Sequence, residues 1–475
     1  MTSIFEKPLI NGLSHIKNPS KTLPTFIIEA CCTAGRTHQS YKRGGEDEAK
    51  ERFREEVTCG AFWLWGVKGL NKIGDFIGKK LFKLENLDID VGKDALRDPF
   101  ANIDPKIKNK TAIFKFGKII SSVILATGLL GFVVPKINHA ITDRTLKNKK
   151  QKPQNAMSMD NFIQSTKKPD NSKYEINFRG NEAFINKIMT ASHKLENDNT
   201  WRLISTDTGM VAGRVYNSRH PAEKFEYLFR DVSSILFYNF TTGATIAALN
   251  KAFKTTNAHP KVIDEVCEFL KANNFTKEQL STVVNPKIGE QFKNVNFSEN
   301  GTITLKSLVN YLENLGLGQE IIDKATKMSE LQPELRGERI LSKAQVQDVF
   351  SNSVTSNPEF LKNVINKATY GRATDSKKFV EAQTCQAIRE SIDDFVKEII
   401  KKAGSNDVTH DLLKKIKRNA ILRTALFQVA GLAFSAFGLA ILIPKTQIFL
   451  SQKIFGKKSF EDIANGNKKD GKVPS

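Results

Sequence analysis

Four side chains in one short stretch, Arg214, Arg219, His220 and Arg230, have the types and spacing to collect an anion. Pro221 suits the first turn of a helix, whose unpaired amides would add to such a site. Glu223 and Asp231 stand among them, so ion pairing on a helix surface is the competing reading. The stretch holds no nucleophile–base pair of known spacing. No catalytic residue, no cofactor-binding residue and no metal site is expected from it.

A second stretch, Asn296–Ser307 (NFSENGTITLKS), carries the outline of a calcium-binding helix–loop–helix. Asn296, Ser298, Asn300, Gly301, Ile303 and Ser307 fall on positions 1, 3, 5, 6, 8 and 12. Calcium needs carboxylates at the first and last of these, and here they are Asn and Ser. A plain glycine turn is expected, with no bound ion.

The remaining signatures fail. Gly78-Lys79 and Gly456-Lys457 lack the upstream glycine and following hydroxyl of a phosphate-binding loop. The seven histidines are scattered without ligand spacing. Cys31, Cys32, Cys59, Cys267 and Cys385 form no Cys-x-x-Cys and are odd in number, which fits a reducing compartment.

The elements that must carry these residues read as mainly α-helical. Two charge-free runs dominate, Ile119–Pro135 and Thr424–Pro444, each followed by lysine. As helices they would extend about 25–31 Å, close to the hydrocarbon thickness of a bilayer. Transmembrane helices are therefore expected over 112–135 and 424–444, the second as the end of a long helix over 405–445 that breaks at Pro444. Basic collars expected to face lipid flank them: Lys115, Lys118 and Lys136 on the first, and Lys414, Lys415, Lys417, Arg418, Arg423 and Lys445 on the second.

Residues 1–111 read as an N-terminal amphipathic, interfacial helical region. Residues 46–82 read as one long helix, or two, with Trp63 and Trp65 at headgroup level and Gly74 and Gly78 permitting close helix approach. Residues 136–173 read as a basic linker and 174–404 as a helical domain. The only β-structure expected is a hairpin over 201–216. The polar, charge-free run 232–250 reads as a buried helix of that domain. Residues 446–475 form a basic amphipathic tail with a disordered end.

With 72 Lys and Arg against 51 Asp and Glu, the net charge is +21. That balance suggests an anionic partner. The functional expectation is a membrane-anchored, non-enzymatic interaction or structural protein without a cleavable signal peptide. Its partners would be the bilayer, anionic lipids and an unidentified protein. The lysine-rich flanks place the central domain on the cytoplasmic side. Two alternatives stand beside this: a soluble basic nucleic-acid binder with buried apolar helices, and a membrane enzyme or transporter with a site near 214–231.

Overall fold

The computed structural model describes residues 6–17, 22–85, 87–89, 104–150, 182–219, 221–273, 280, 292, 294–298, 301–331, 338–351, 356–375, 377–378, 380, 382–404 and 408–456. Three helical rods are long and apolar enough to cross a membrane: Lys106–Thr142, Pro221–Ala252 and His410–Phe455, with mean hydropathies of 1.9, 1.3 and 2.2 in their most apolar windows. The first and third contain the two expected spans. The second contains 232–250, which is not the buried domain helix expected from its Ser, Thr and Asn content. Only 6% of its apolar window is buried, and Val232, Leu236 and Phe240 point outward.

Neither terminal proline stops its helix. The first rod is α4 (Pro105–Gly128), a π-helical turn at Leu129–Val133, and α5 (Val134–Lys150). The third, described further below as α16 and α17, has the same device at Gly438–Leu442 before Pro444. The amide of Val134 donates to the Leu129 carbonyl, and that of Ile443 to Gly438. Proline lacks an N–H and crowds the carbonyl four residues back; one wider turn relieves both demands, so the helix runs on. The expected break at Pro444 is thus replaced by a continuation to Phe455.

These rods assemble with four other helices. α1 (Glu6–Lys17) lies apart from the bundle. α2 (Leu23–Ala61) is two antiparallel arms, folded back at Gly44–Gly45, where Gly45 takes φ 73°, a conformation that other residues adopt at a cost. Its second arm continues through a π turn at Phe62–Gly66 into α3 (Val67–Phe82). α6 (Glu182–Asn197) and α7 (Asn199–Tyr216) follow α5. The expected hairpin at 201–216 is therefore helix. Asp198 caps its start, and one face of Leu203, Thr206, Met210, Val211 and Arg214 turns inward, so the Asp207–Gly209 turn signal is overridden by tertiary packing. The second rod is α8 (Pro221–Leu236), a π turn at Phe237–Thr241, and α9 (Thr242–Ala252).

Pairwise contacts fix the directions. Phe225 meets Phe455, Thr242 bonds Ser435 at 2.8 Å and Phe253 meets Phe427, so the second and third rods are antiparallel. Arg54 reaches Thr142 while Asp75 reaches Lys118, so the second arm of α2 with α3 runs antiparallel to the first rod. Gly74 and Gly78 lie against Lys118 and Phe114, the close approach expected of that pair.

The other half of the molecule continues from α9. It comprises α10 (Pro260–Asn273), β1 (Thr302–Thr304), α11 (Leu305–Asn314), α12 (Gln319–Ser329), β2 (Ile340–Ser342), α13 (Lys343–Phe350), α14 (Pro358–Ala368) and α15 (Ala382–Ala403). The third rod, α16 (His410–Phe437) and α17 (Ile443–Phe455), leads back to the bundle. One apolar core joins these helices, with Val262, Leu308, Leu312, Met328, Leu341, Val346, Val364, Ile392 and Phe395 at its centre. α1 adds Ile10 and Leu13, and the start of α16 adds Leu413 and Ile416. Helices α6–α9 join the bundle instead. The bundle thus has a domain end, near Lys118, Ala252 and His410, and an opposite end near Thr142, Pro221 and Phe455.

Candidate functional site

The second arm of α2 carries Glu48, Glu51, Arg52, Glu55, Glu56 and Cys59, a spacing of three and four residues that normally marks an apolar core face. Here the charged stripe turns inward and all but Arg52 are buried, while Phe53 and Val57 are 52% and 44% exposed. The helix is amphipathic with its polar face inside. Such inversion suits an apolar surrounding, where charges must find partners within the protein.

They find them on α7, α8 and the first arm of α2. Nearest the free end, Arg43 donates to Glu48 at 2.8 Å and to Glu226 at 2.9 Å, and Gln447 of α17 completes Glu226 at 3.0 Å. Beside this, Arg219 holds Glu223 at 2.6 Å and Glu51 at 3.2 Å. Deeper in, Arg214 meets Asp231 at 2.8 Å, Glu55 at 3.2 Å and the Cys59 sulfur at 3.0 Å. Arg230 spans Asp231 at 2.7 Å and Glu55 at 3.3 Å. Arg36 clasps Glu56 through both carboxylate oxygens at 3.0 Å. Bidentate geometry and shared partners are what make burial of such charges tolerable.

The structure therefore brings together Arg214, Arg219 and Arg230 from the anion-binding stretch, with each guanidinium already met by carboxylates. His220 lies outside the described residues. Two partner groups escaped the sequence reading. The acidic stripe on α2 is legible as helical spacing, but no local signal says that it turns inward. His139 gave no spacing signal: its Nε2 lies 3.2 Å from the Tyr227 hydroxyl and 3.6 Å from Glu223. Glu51, His139 and Glu223 come within 4.8 Å of one another, a set able to hold a metal ion. Arg219, bonded to both carboxylates, already supplies the positive charge there.

Below the network a cavity of about 50 Å³ is lined by Glu29, Trp63, Asp207 and Tyr238, with Arg36 and Arg214 at its upper wall. The Tyr238 hydroxyl donates to Glu29. Trp63, expected at headgroup level, is buried here against Tyr238 with ring centroids 5.1 Å apart, because the π turn at 62–66 rotates it inward. Trp65 stays half exposed beside Phe26.

The basic collars divide. Lys136, Lys414, Lys415, Arg418 and Lys445 are exposed. Lys115, Lys118 and Lys417 are buried and Arg423 is half-buried, each held by a partner within the protein. Lys115 donates to the Ile89 carbonyl at 2.6 Å, Lys118 bridges Asp75 and Glu196, Lys417 pairs with Asp264 at 2.6 Å and Glu268 at 2.9 Å, and Arg423 clasps Glu398. Each has a carboxylate or carbonyl within reach across a helix contact, which local sequence does not reveal.

The calcium-like stretch has the loop shape without the ligands. Gly301 takes φ 68°, and Ile303 pairs with Leu341 of β2 in a two-stranded antiparallel link between α11 and α13. The Ser307 hydroxyl is bonded to Thr304 rather than aimed at a loop centre. Ser342 and Gln345 form a capping box, Asn357 caps the helix that begins at Pro358, and Thr409 caps α16. Comparison with protein-family models, curated proteins and solved structures finds no match to this chain.

Proposed function

We propose that the protein is a membrane-anchored helical protein whose bundle sits in a bilayer and whose 260–404 half is an interaction module held at one face. The observation that carries this reading is the inverted amphipathicity of the bundle: Glu48, Glu51, Glu55, Glu56, Arg214 and Arg230 inside, with Phe53, Ile124, Leu236, Leu426, Val429 and Phe434 outside. Burying charge while exposing large apolar side chains lowers the free energy only where the surroundings are apolar. The exposed Lys414, Lys415 and Arg418 would lie at the boundary beside the domain and add about 1 kcal/mol each toward anionic lipid. The domain contributes helices α11 and α13 joined by a short antiparallel strand pair, which we read as a protein-binding module. A cytoplasmic location for this domain agrees with those collars.

A carbonate wash followed by detergent tests the reading. Retention through carbonate and release in detergent is expected; release by carbonate would overturn it and return the charge of +21 to a nucleic-acid or peripheral partner. A second reading, a membrane transporter with its site near 214–231, is favoured by one observation, the continuity of ionisable groups from the free end of the bundle to its middle.

A further inference from the structure

We propose that the cavity between Glu29 and Asp207 is a proton-binding site in the bundle interior, loaded at neutral pH and exchanging with the network end. The argument rests on charge balance and position. Four carboxyls line the cavity, Glu29, Glu56, Asp207 and Asp231, against two guanidiniums, Arg36 and Arg214. Arg36 is committed to Glu56 and Arg214 to Asp231. Neither Glu29 nor Asp207 makes an ion pair among the described residues. A bare carboxylate in such an interior costs several kcal/mol, and taking a proton removes that cost.

The groups facing the cavity come from both arms of α2, α7 and the second and third rods. The first arm of α2 presents Glu29, Cys32 and Arg36; the second presents Glu56, Cys59 and Trp63, with Glu55 behind. α7 presents Asp207 and Arg214, and the second rod presents Asp231, Ser234 and Tyr238. The third rod contributes apolar Leu439. Among the described residues no further cation forms an ion pair with either carboxyl.

A second feature points to an occupant. The Nε of Arg36, on a residue 6% exposed, has no hydrogen-bond partner among the described residues. A buried donor left open beside a cavity of about 50 Å³ marks room for a few waters, the usual vehicle for a proton.

Access is one-sided. Toward the free end, carboxyls follow at each turn of α2: Glu56 and Glu55, then Glu51 beside Glu223 and His139, then Glu48 beside Glu226. Toward the domain end the interior meets Leu64, Val67, Leu203 and Ile119. The step is simple: the O–H bond of a protonated Glu29 or Asp207 breaks, the electron pair stays on the carboxylate, and the proton passes to water in the cavity. Nothing is oxidised or reduced.

The proposal gains its biological sense from the membrane reading, but its test does not depend on it. Full-length protein in detergent is titrated while infrared difference spectra follow the C=O stretch of protonated carboxyls. At pH 7 the band should be present. Glu29→Gln and Asp207→Asn should each remove part of it and the double variant all of it, while Glu398→Gln, in the domain, leaves it intact. Absence of the band at pH 7, or its persistence in the double variant, overturns the site. If the carboxyl variants fail to fold, Tyr238→Phe keeps both acids and should shift the band by removing one hydrogen bond; no shift overturns Glu29 as a carrier. Discharge of the band by sodium but not choline at constant pH would assign the cavity to a metal cation and overturn the proton. Failure of the carbonate test would leave these spectra unaffected, so the two readings fail separately.

Discussion

The bundle and the domain solve burial in opposite ways. The domain buries Leu308, Met328, Val364, Ile392 and Phe395 and encloses few charges, such as Asp348 against Arg389 and Lys417 against Asp264. The bundle buries arginines and glutamates and turns leucine and phenylalanine outward. A domain core gains from the hydrophobic effect, roughly 25 cal/mol for each Å² removed from water. Helices facing lipid, as proposed for the bundle, gain little from burying apolar groups against one another, so polar pairing and close backbone contact must hold them. The contrast teaches that the same helical propensities serve two media, and that the medium is read from what faces out.

The largest expected effect tests the ion network. Arg214→Ala leaves Asp231 and Glu55 short of a cation and should cost about 3–5 kcal/mol in detergent unfolding, enough to lose the bundle while the domain stays folded. Replacing both members of an enclosed pair, Arg36→Met with Glu56→Leu, should be neutral or stabilising by about 1–4 kcal/mol. If the double change costs as much as Arg214→Ala, the bundle depends on those charges for more than pairing.

In the domain, Leu308→Ala should cost about 2–5 kcal/mol by opening a cavity. This change should lower the unfolding midpoint of the domain and leave the bundle's transition in place. A shared loss would show that the halves unfold as one.

Helix approach separates them next. A Cβ on Gly213 would sit 2.6 Å from the Gly131 backbone, so Gly213→Ala should push α7 from the first rod at about 1–3 kcal/mol. Gly318, with open space around it and an ordinary φ of −66°, should accept alanine without loss.

The smallest effect is electrostatic and belongs to the contact between the halves. Burial alone would raise the Glu398 carboxyl, but hydrogen bonds from Arg423, Lys402 and Thr256 hold it down to about 2, against 4.5 in the unfolded chain. Its contribution is complete above pH 4.5 and fades as pH falls through 2. Partial exposure limits it to about 1 kcal/mol. Acid unfolding should show this step in the wild type and lose it in Glu398→Gln; an unchanged profile in the variant would remove Glu398 from the account.

Much of the local structure was legible. The helix start at Pro221 followed from its proline, and two of the three long rods from charge-free runs. Residues 201–216 were misread because Asp-Thr-Gly is a local turn signal, while helix is decided by contacts with α4 and α8. Residues 232–250 were misread because hydropathy alone places a polar apolar run inside a domain.

The sequence by itself determined the helical content, the two most apolar rods and the absence of calcium ligands, since these depend on residue type and near-neighbour spacing. Only the tertiary structure decided which faces turn inward. The charged stripe of α2 becomes a core because Arg214, Arg219 and Arg230 arrive from more than 150 residues away. Glu29 and Asp207 are left without an ion pair among the described residues because Arg36 and Arg214 are taken by Glu56 and Asp231. Pairing between distant helices is set by packing, and no local pattern records it.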